Sequence, residues 1–355
     1  MARISAIATA VPDLDFEQDY RRWALAQLGE RREAKLYERM AARSGIKHRW
    51  SVLSEEDARL DEGRGLYGAE PPSTARRMAI YEQAAPELAL KAIGGLPELG
   101  APTHIVVASC TGFVAPGIDQ IIARRLGLGS EVERVLVGFM GCYAAVTALR
   151  TARHIVRSEP RARVLVVTVE LSTLHHQEVV DLEPLLMGAQ FGDGAAAAIV
   201  TAEEPGLAIG QGISAALEDS EGLITWNIGD TGFLMRLSGE VPGRIADALA
   251  RSEVRERITG GLMPEQIEAW AVHAGGRSIL DAVEKGLHLA PTALDDSREV
   301  LRNCGNMSSS TLMFALKRIV RHRPASGVAL AFGPGLAMEG FRFAWEDEAG
   351  CQNAG

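Results

Sequence analysis

The sequence predicts an α/β protein built from two pseudo-symmetric halves, on three observations. Strand-like and helical segments alternate along the chain, the second half repeats the first in order, and the composition suits a large globular core. The strand-like runs are "ISAIATAVP", "THIVVAS", "RVLVVTVEL" and "AAAAIV", short and apolar. Helical patterning falls between them at 83–93, 116–126 and 144–157.

The repeat pairs "ISAIATAVP" with "GLAIGQGISAAL" and "THIVVASCTG" with "IEAWAVHAGG". It pairs "RVLVGFMGCYAAVTALRTARHIVR" with "SREVLRNCGNMSSSTLMFALKRIVR", and "ARVLVVTVEL" with "SGVALAFGPGL". Each pair reads as strand, turn of small residues, helix and next strand. The boundary falls in "EEPGL", dividing the chain into 1–205 and 206–355. This duplication puts Cys142 and Asn306 at equivalent strand-to-helix turns and His273 at a strand end. In open α/β sheets strand ends are where ligands sit.

At 355 residues, with 47% hydrophobic and 23% charged residues, the chain has ample core for more than one ordinary domain. No basic segment followed by an apolar one opens it, and the longest uncharged apolar stretch, 135–149, is too short to span a bilayer. The expectation is a cytoplasmic protein without a membrane span. Cys110, Cys142, Cys304 and Cys351 are widely spaced, which favours reduced thiols over a zinc site or a disulfide framework. A net charge of −9 argues against nucleic acid as a partner.

Cys142 lies at the start of a segment that is apolar on almost every face, so it is expected at the N-terminus of a buried helix. Free N–H groups and the helix dipole favour a thiolate there, and a histidine partner would lower its pKa further. Packing is the other reading of such a cysteine. An α/β-hydrolase elbow is disfavoured because Met140 stands where that turn wants glycine. His273 follows "EAWAV" and precedes Gly275 and Gly276, a place that also suits a structural histidine. Asn306 precedes another apolar helix and reads equally as an N-cap.

Together, "GFMGCYAA", "WAVHAGGRSILDAVE", "NCGNMSSSTLMFAL", "QFGDGAAAAIV" and "AFGPGLAMEGF" resemble the type III polyketide synthases. These are the chalcone and stilbene synthase-like branch of the thiolase superfamily. The resemblance implies the five-layer αβαβα thiolase-like fold, a homodimer and a Cys-His-Asn site of Cys142, His273 and Asn306. It implies an acyl-CoA starter and malonyl-CoA as substrates, joined by decarboxylative condensation without metal or redox cofactor. Phe191 matches the phenylalanine between the CoA tunnel and the cavity, and Asp193 and Gly194 beside it read as structural turn residues. Cys110, Thr111, Ser172 and His175 fall on cavity-lining positions.

Departures from the family pattern bear on specificity. Met235 stands at the second gatekeeper phenylalanine of plant members and Trp226 at a cavity glycine, while Ala144-Ala145 replaces Gly-Gly. Aromatic phenylpropanoid starters are therefore not expected. Met235 and small Ser172 suit a fatty acyl starter leading to a pyrone or alkylresorcinol-like phenol. Malonyl priming toward tetrahydroxynaphthalene or phloroglucinol is the competing route, with Cys110 and His175 as its polar wall. Arg32, Lys35, Arg39 and Arg43 share one helix face; Arg39 and Arg43 match CoA-binding residues of the family, and Leu36 replaces a lysine. His175-His176 lacks a third metal ligand in the sequence. The rival readings are a β-ketoacyl-carrier-protein synthase III, whose histidine motif differs from "HAGG", and an inactive thiolase-fold interaction protein.

Overall fold

In the computed structural model, which describes residues 1–29, 31–58, 65–67, 70–177 and 181–347, the alternation of elements follows the chain closely. Cys351 lies outside the described residues. Strand Arg3–Ala10 (β1) leads to the short pair Leu14–Asp15 (β2) and Trp50–Ser51 (β3), with helices Glu17–Gln27 (α1) and Arg31–Ser44 (α2) between them. Then come Thr74–Ile93 (α3), His104–Ser109 (β4), Ile118–Arg125 (α4) and Glu133–Gly138 (β5). Ala144–Ser158 (α5), Val164–Leu171 (β6), Leu182–Gly188 (α6) and Asp193–Thr201 (β7) follow.

The second half opens with Gly206–Ala216 (β8) and the hairpin of Ile224–Gly229 (β9) and Gly232–Leu237 (β10). It continues through Val241–Ala250 (α7), Ser252–Thr259 (α8), Ala269–Val272 (β11), Arg277–Leu287 (α9) and Asp295–Cys304 (α10). Ser310–Ile319 (α11), Gly327–Gly333 (β12) and Ala337–Glu346 (β13) close it.

Nine strands join in the order β11-β12-β13-β8-β1-β7-β6-β4-β5. Only two residue pairs, Arg3 with Ala208 and Ile4 with Leu207, hold β1 to β8 at the centre. Outward from that seam the two sides mirror each other. β8 matches β1, β13 matches β7, β12 matches β6 and β11 matches β4, with parallel pairing of β4 to β6 and of β11 to β12. β4, β6 and β7 are buried throughout, as strands covered by helices on both faces must be.

The mirror fails at one place. The sequence pairs "SREVLRNC" with the strand "RVLVGFMG", but residues 295–304 form α10, and β5 has no counterpart. The buried residues of α10 are Ser297, Val300 and Leu301, a helical spacing, with Asp295 and Asp296 in the first turn and Arg302 in the last. That pattern satisfies a helix and its dipole, not a strand. Asn306 therefore follows a helix, and the expected strand-to-helix turn is a helix-to-helix turn.

Three apolar clusters define five layers. One packs α3 and its neighbours on the outer face of the first half-sheet. A second sandwiches α5 and α11 between strands of both halves. The third packs α7 and α9 on the outer face of the second half-sheet. The central helical layer positions the site, because the turns into α5 and α11 both open there. No helix among the described residues is long and apolar enough to cross a membrane.

Candidate active site

Two sharp turns deliver Cys142. After β5, Phe139 at φ 56° and Gly141 at φ 74° reverse the chain into a single 3₁₀ turn, Gly141–Tyr143, from which α5 continues. Gly141 is required twice over. Its φ is left-handed, and a Cβ there would lie 2.4 Å from Pro334 Cδ. Cys142 is half-buried, and Ser308 Oγ donates to its Sγ at 3.7 Å.

His273 continues β11, its N–H donating to the Leu330 carbonyl at 2.8 Å. Its side chain is buried, and neither ring nitrogen has a hydrogen-bond partner among the described residues. Asn306 follows Gly305, whose φ is 67°. Its Nδ2 donates to the Gly275 carbonyl at 3.1 Å and its Oδ1 accepts from Ser308 N at 2.8 Å. It is not the N-cap of α11, which starts four residues later. A parallel bridge ties it to Phe191.

Two cavities meet at these residues. The smaller, about 40 Å³, is lined by Cys142, His273, Asn306 and Phe191. The larger, about 240 Å³, is lined by Cys142 and Phe191 and by every expected cavity residue: Cys110, Thr111, Ser172, His175, Trp226 and Met235. Cys142, Phe191, Ile224 and Met235 border both. Trp226 and Met235 face each other in the β9–β10 register, and Trp226 Nε1 donates to the Cys110 carbonyl at 2.8 Å.

The electrostatics differ from the sequence expectation in one respect. Burial, aided by the Glu170 charge, pushes the Cys142 thiol up to about 12, while hydrogen bonds from Ser308 and Asn306 act in the opposite direction. Burial drives His273 down to about 3. The helix N-terminus therefore does not outweigh desolvation, and both groups rest neutral.

His175 is also reinterpreted. Its Nε2 donates to the Thr111 carbonyl at 2.7 Å, and its Nδ1 accepts from Phe233 N at 3.0 Å. The ring stacks on Phe233 at 4.2 Å. With both nitrogens spent on backbone, it presents carbon to the cavity and is not the polar wall group expected. Asp193 begins β7 instead of making a turn, its carboxylate accepting from Val52 N and Thr173 N at 2.9 and 2.8 Å.

Sequence reasoning missed two residues. Glu170 is wholly buried and accepts from Cys110 N at 3.0 Å and Thr111 Oγ1 at 2.9 Å, as well as from Ser309 Oγ. Burial lifts it to about 7. Its signal was a lone acid in the otherwise apolar run "VLVVTVEL". Ser308, at φ 46°, stands between two thiols, 3.1 Å from Cys110 Sγ and 3.7 Å from Cys142 Sγ. Hydroxyls after Asn306 were visible, but not their direction.

Arg39 and Arg43 lie exposed on α2, outside both cavities, with Leu36 half-buried. Among the described residues one group has metal-ligand spacing: His104, Glu133 and Glu159. It sits at the starts of β4 and β5, the strand ends opposite Cys142, and does not include His175 or His176.

The chain matches the chalcone and stilbene synthases, N-terminal domain over residues 1–204 and C-terminal domain over residues 208–344. It is 34% identical over 322 residues to the alpha-pyrone synthesis polyketide synthase-like Pks18 of Mycobacterium tuberculosis, covering 86% of this chain and 81% of that protein. It is 32% identical over 326 residues to type III polyketide synthase A of Arabidopsis thaliana, covering 85% and 82%. Among solved structures it resembles PKS-I of the brown alga Ectocarpus siliculosus, with TM-score 0.87, 28% identity and coverage of 97% and 98%. It also resembles the 1,3,6,8-tetrahydroxynaphthalene synthase of Streptomyces coelicolor, with TM-score 0.85, 25% identity and coverage of 97% and 99%. These matches do not favour the carrier-protein synthase or inactive-scaffold readings. On sequence and fold alike, the chain belongs to the chalcone and stilbene synthase family, the type III polyketide synthases, a family of condensing enzymes.

Proposed function

We propose that the enzyme transfers a fatty acyl group from CoA to Cys142, extends it with malonyl-CoA and closes the product to a pyrone or an alkylresorcinol-like phenol. The observation carrying the starter preference is the wall of the larger cavity. His175 turns carbon toward it, and Ile224, Phe233, Leu234 and Met235 complete an apolar lining. An alkyl chain is the ligand that such a wall accepts without unpaired polar groups.

The chemistry follows from the neutral resting pair. Cys142 passes its proton to His273 as sulfur attacks the starter thioester, and CoA leaves with a proton returned. Malonyl-CoA then loses carbon dioxide, leaving an enolate oxygen. Neutral His273 donates one N–H to it, and Asn306 Nδ2, which spends one of its two hydrogens on Gly275, donates the other. The enolate carbon attacks the acyl carbonyl, and the Cys142 thiolate is released. Phe191, bordering both cavities, separates the loading side from the growing chain. These steps draw on CoA thioesters and call for no metal or redox cofactor.

Arg39 and Arg43 are read as contacts for the CoA phosphates. Two halves, 1–205 and 206–355, supply the cysteine and the His-Asn pair respectively. A homodimer in the cytoplasm is proposed, supported by β5, an edge strand that leaves Val135 and Leu136 exposed.

A second reading, malonyl priming toward a hydroxylated aromatic, is favoured by Cys110, a polar residue among those lining the cavity. Intact-protein and product mass spectrometry distinguishes the two. Malonyl-CoA alone is expected to give no product, while acyl-CoAs of rising length give an adduct on Cys142 and chain-length-dependent pyrones or resorcinols. A product from malonyl-CoA alone overturns the fatty acyl reading.

A further inference from the structure

The C-terminal end of α2 and the N-terminal end of α9 meet beside the smaller cavity. Arg277 opens α9, and its Nη1 donates to the Arg43 carbonyl at 3.0 Å. Arg43 belongs to the last turn of α2. The contact sets the Arg277 guanidinium against the backbone of Arg43, so two exposed arginines from distant parts of the chain become neighbours on the surface. Gly275, two residues before Arg277, lines the cavity that also holds Cys142, His273 and Asn306.

Arg277 is not consumed by its surroundings. Its nearest carboxylate, Asp281, lies 3.6 Å away. That carboxylate is held more closely by Arg298, at 2.7 Å, and Arg298 also pairs with Glu284 at 2.8 Å. Of five guanidinium N–H donors, one serves the Arg43 carbonyl and one faces Asp281, so most of the fork remains for an incoming acceptor. The first turn of α9 adds backbone N–H groups, because Gly276 before it provides no side-chain cap. On α2, by contrast, Leu36 leaves the cationic stripe without a charge at one position.

We propose that Arg277 is a CoA-recognition residue, whose guanidinium, with that of Arg43, binds a phosphate at the nucleotide end of CoA thioesters and makes up for the missing charge at Leu36. This rests on the reading that the enzyme uses CoA thioesters. It assigns to the start of α9, next to His273, a part in holding the substrate by the end remote from the reaction.

The test compares wild type, Arg277→Ala and Arg277→Lys with CoA thioesters and with pantetheine thioesters, which lack the nucleotide. In Arg277→Ala, KM for malonyl-CoA is expected to rise about tenfold relative to KM for malonyl-pantetheine, and lysine to restore part of the loss. Calorimetric binding of CoA itself is expected to weaken in parallel and to lose part of its salt dependence. Equal losses for CoA and pantetheine substrates would mean that Arg277 only ties α9 to α2, and an unchanged CoA affinity would equally overturn the inference. Because the binding measurement needs no turnover, failure of the condensation reading would leave this test intact.

Discussion

Phe191 and Asn306 are held side by side by backbone alone. Asn306 N donates to the Gln190 carbonyl at 2.7 Å, and Gly192 N donates to the Asn306 carbonyl at 3.0 Å. The residue proposed to partition the cavities and the residue proposed to bind the enolate therefore move as one unit. Substituting the Asn306 side chain leaves that bridge intact while removing its bonds to the Gly275 carbonyl and Ser308 N, so Asn306→Ala tests the enolate site with the Phe191 link preserved. It is expected to load acyl-CoA normally but to decarboxylate malonyl-CoA about a hundredfold more slowly. Adduct mass and carbon dioxide release measure the two steps separately, and undiminished decarboxylation would remove Asn306 from the enolate site.

Burial keeps Cys142 and His273 neutral at rest, so forming a thiolate depends on a proton acceptor next to it. His273→Ala is expected to slow alkylation of Cys142 at neutral pH roughly a hundredfold, with reactivity recovering as pH rises. Peptide-level mapping of iodoacetamide labelling across pH reads this directly. An unchanged rate would mean that His273 is not the base.

Glu170 sets a pH dependence on stability. Its carboxyl is raised from 4.5 to about 7 by burial, so the folded state binds its proton more tightly than the unfolded state does. The associated stability is fully present below pH 4.5 and is lost as pH rises through about 7. The difference of 2.5 units corresponds to a loss on the order of 3 kcal/mol. Urea unfolding of Glu170→Gln should lack this component, and parallel pH profiles for the two proteins would contradict the assignment.

Trp226 stands opposite Met235 and lines the larger cavity. Trp226→Ala enlarges that space and removes the bond to the Cys110 carbonyl. The preferred acyl chain is expected to lengthen, as judged from product masses with a graded series of acyl-CoAs. An unaltered chain-length profile would show that the alkyl chain lies elsewhere.

Gly141→Ala places a Cβ 2.4 Å from Pro334 Cδ at a left-handed φ. A loss of about 2 kcal/mol in unfolding free energy is expected, together with slower acyl loading because Cys142 is displaced. Thermal melts and adduct formation check both effects. Wild-type behaviour in both would show that the turn has slack.

The layered fold was legible because its signals are local. Apolar runs of strand length, the helical periodicity of α5 and the repeated order of elements are written residue by residue, and Cys142, His273, Asn306 and Phe191 each carried a recognisable surrounding motif. The repeat misled at one element only. Similarity to a strand-turn-helix unit suggested a strand where Ser297, Val300 and Leu301 are spaced for a helix, and periodicity was the better guide.

By itself the sequence determined the alternation of elements, the family and the residue types able to run the condensation, since these follow from patterning and short motifs. Tertiary structure decided what those residues face. Two backbone groups, from Thr111 and Phe233, neutralise His175 as a polar contact, and burial outweighs the helix terminus at Cys142. Long-range closure brings Ser308 between two thiols and Arg277 against Arg43. Hydrogen-bond partners and desolvation depend on chain segments 58 to 234 residues apart, a separation across which no local pattern carries information.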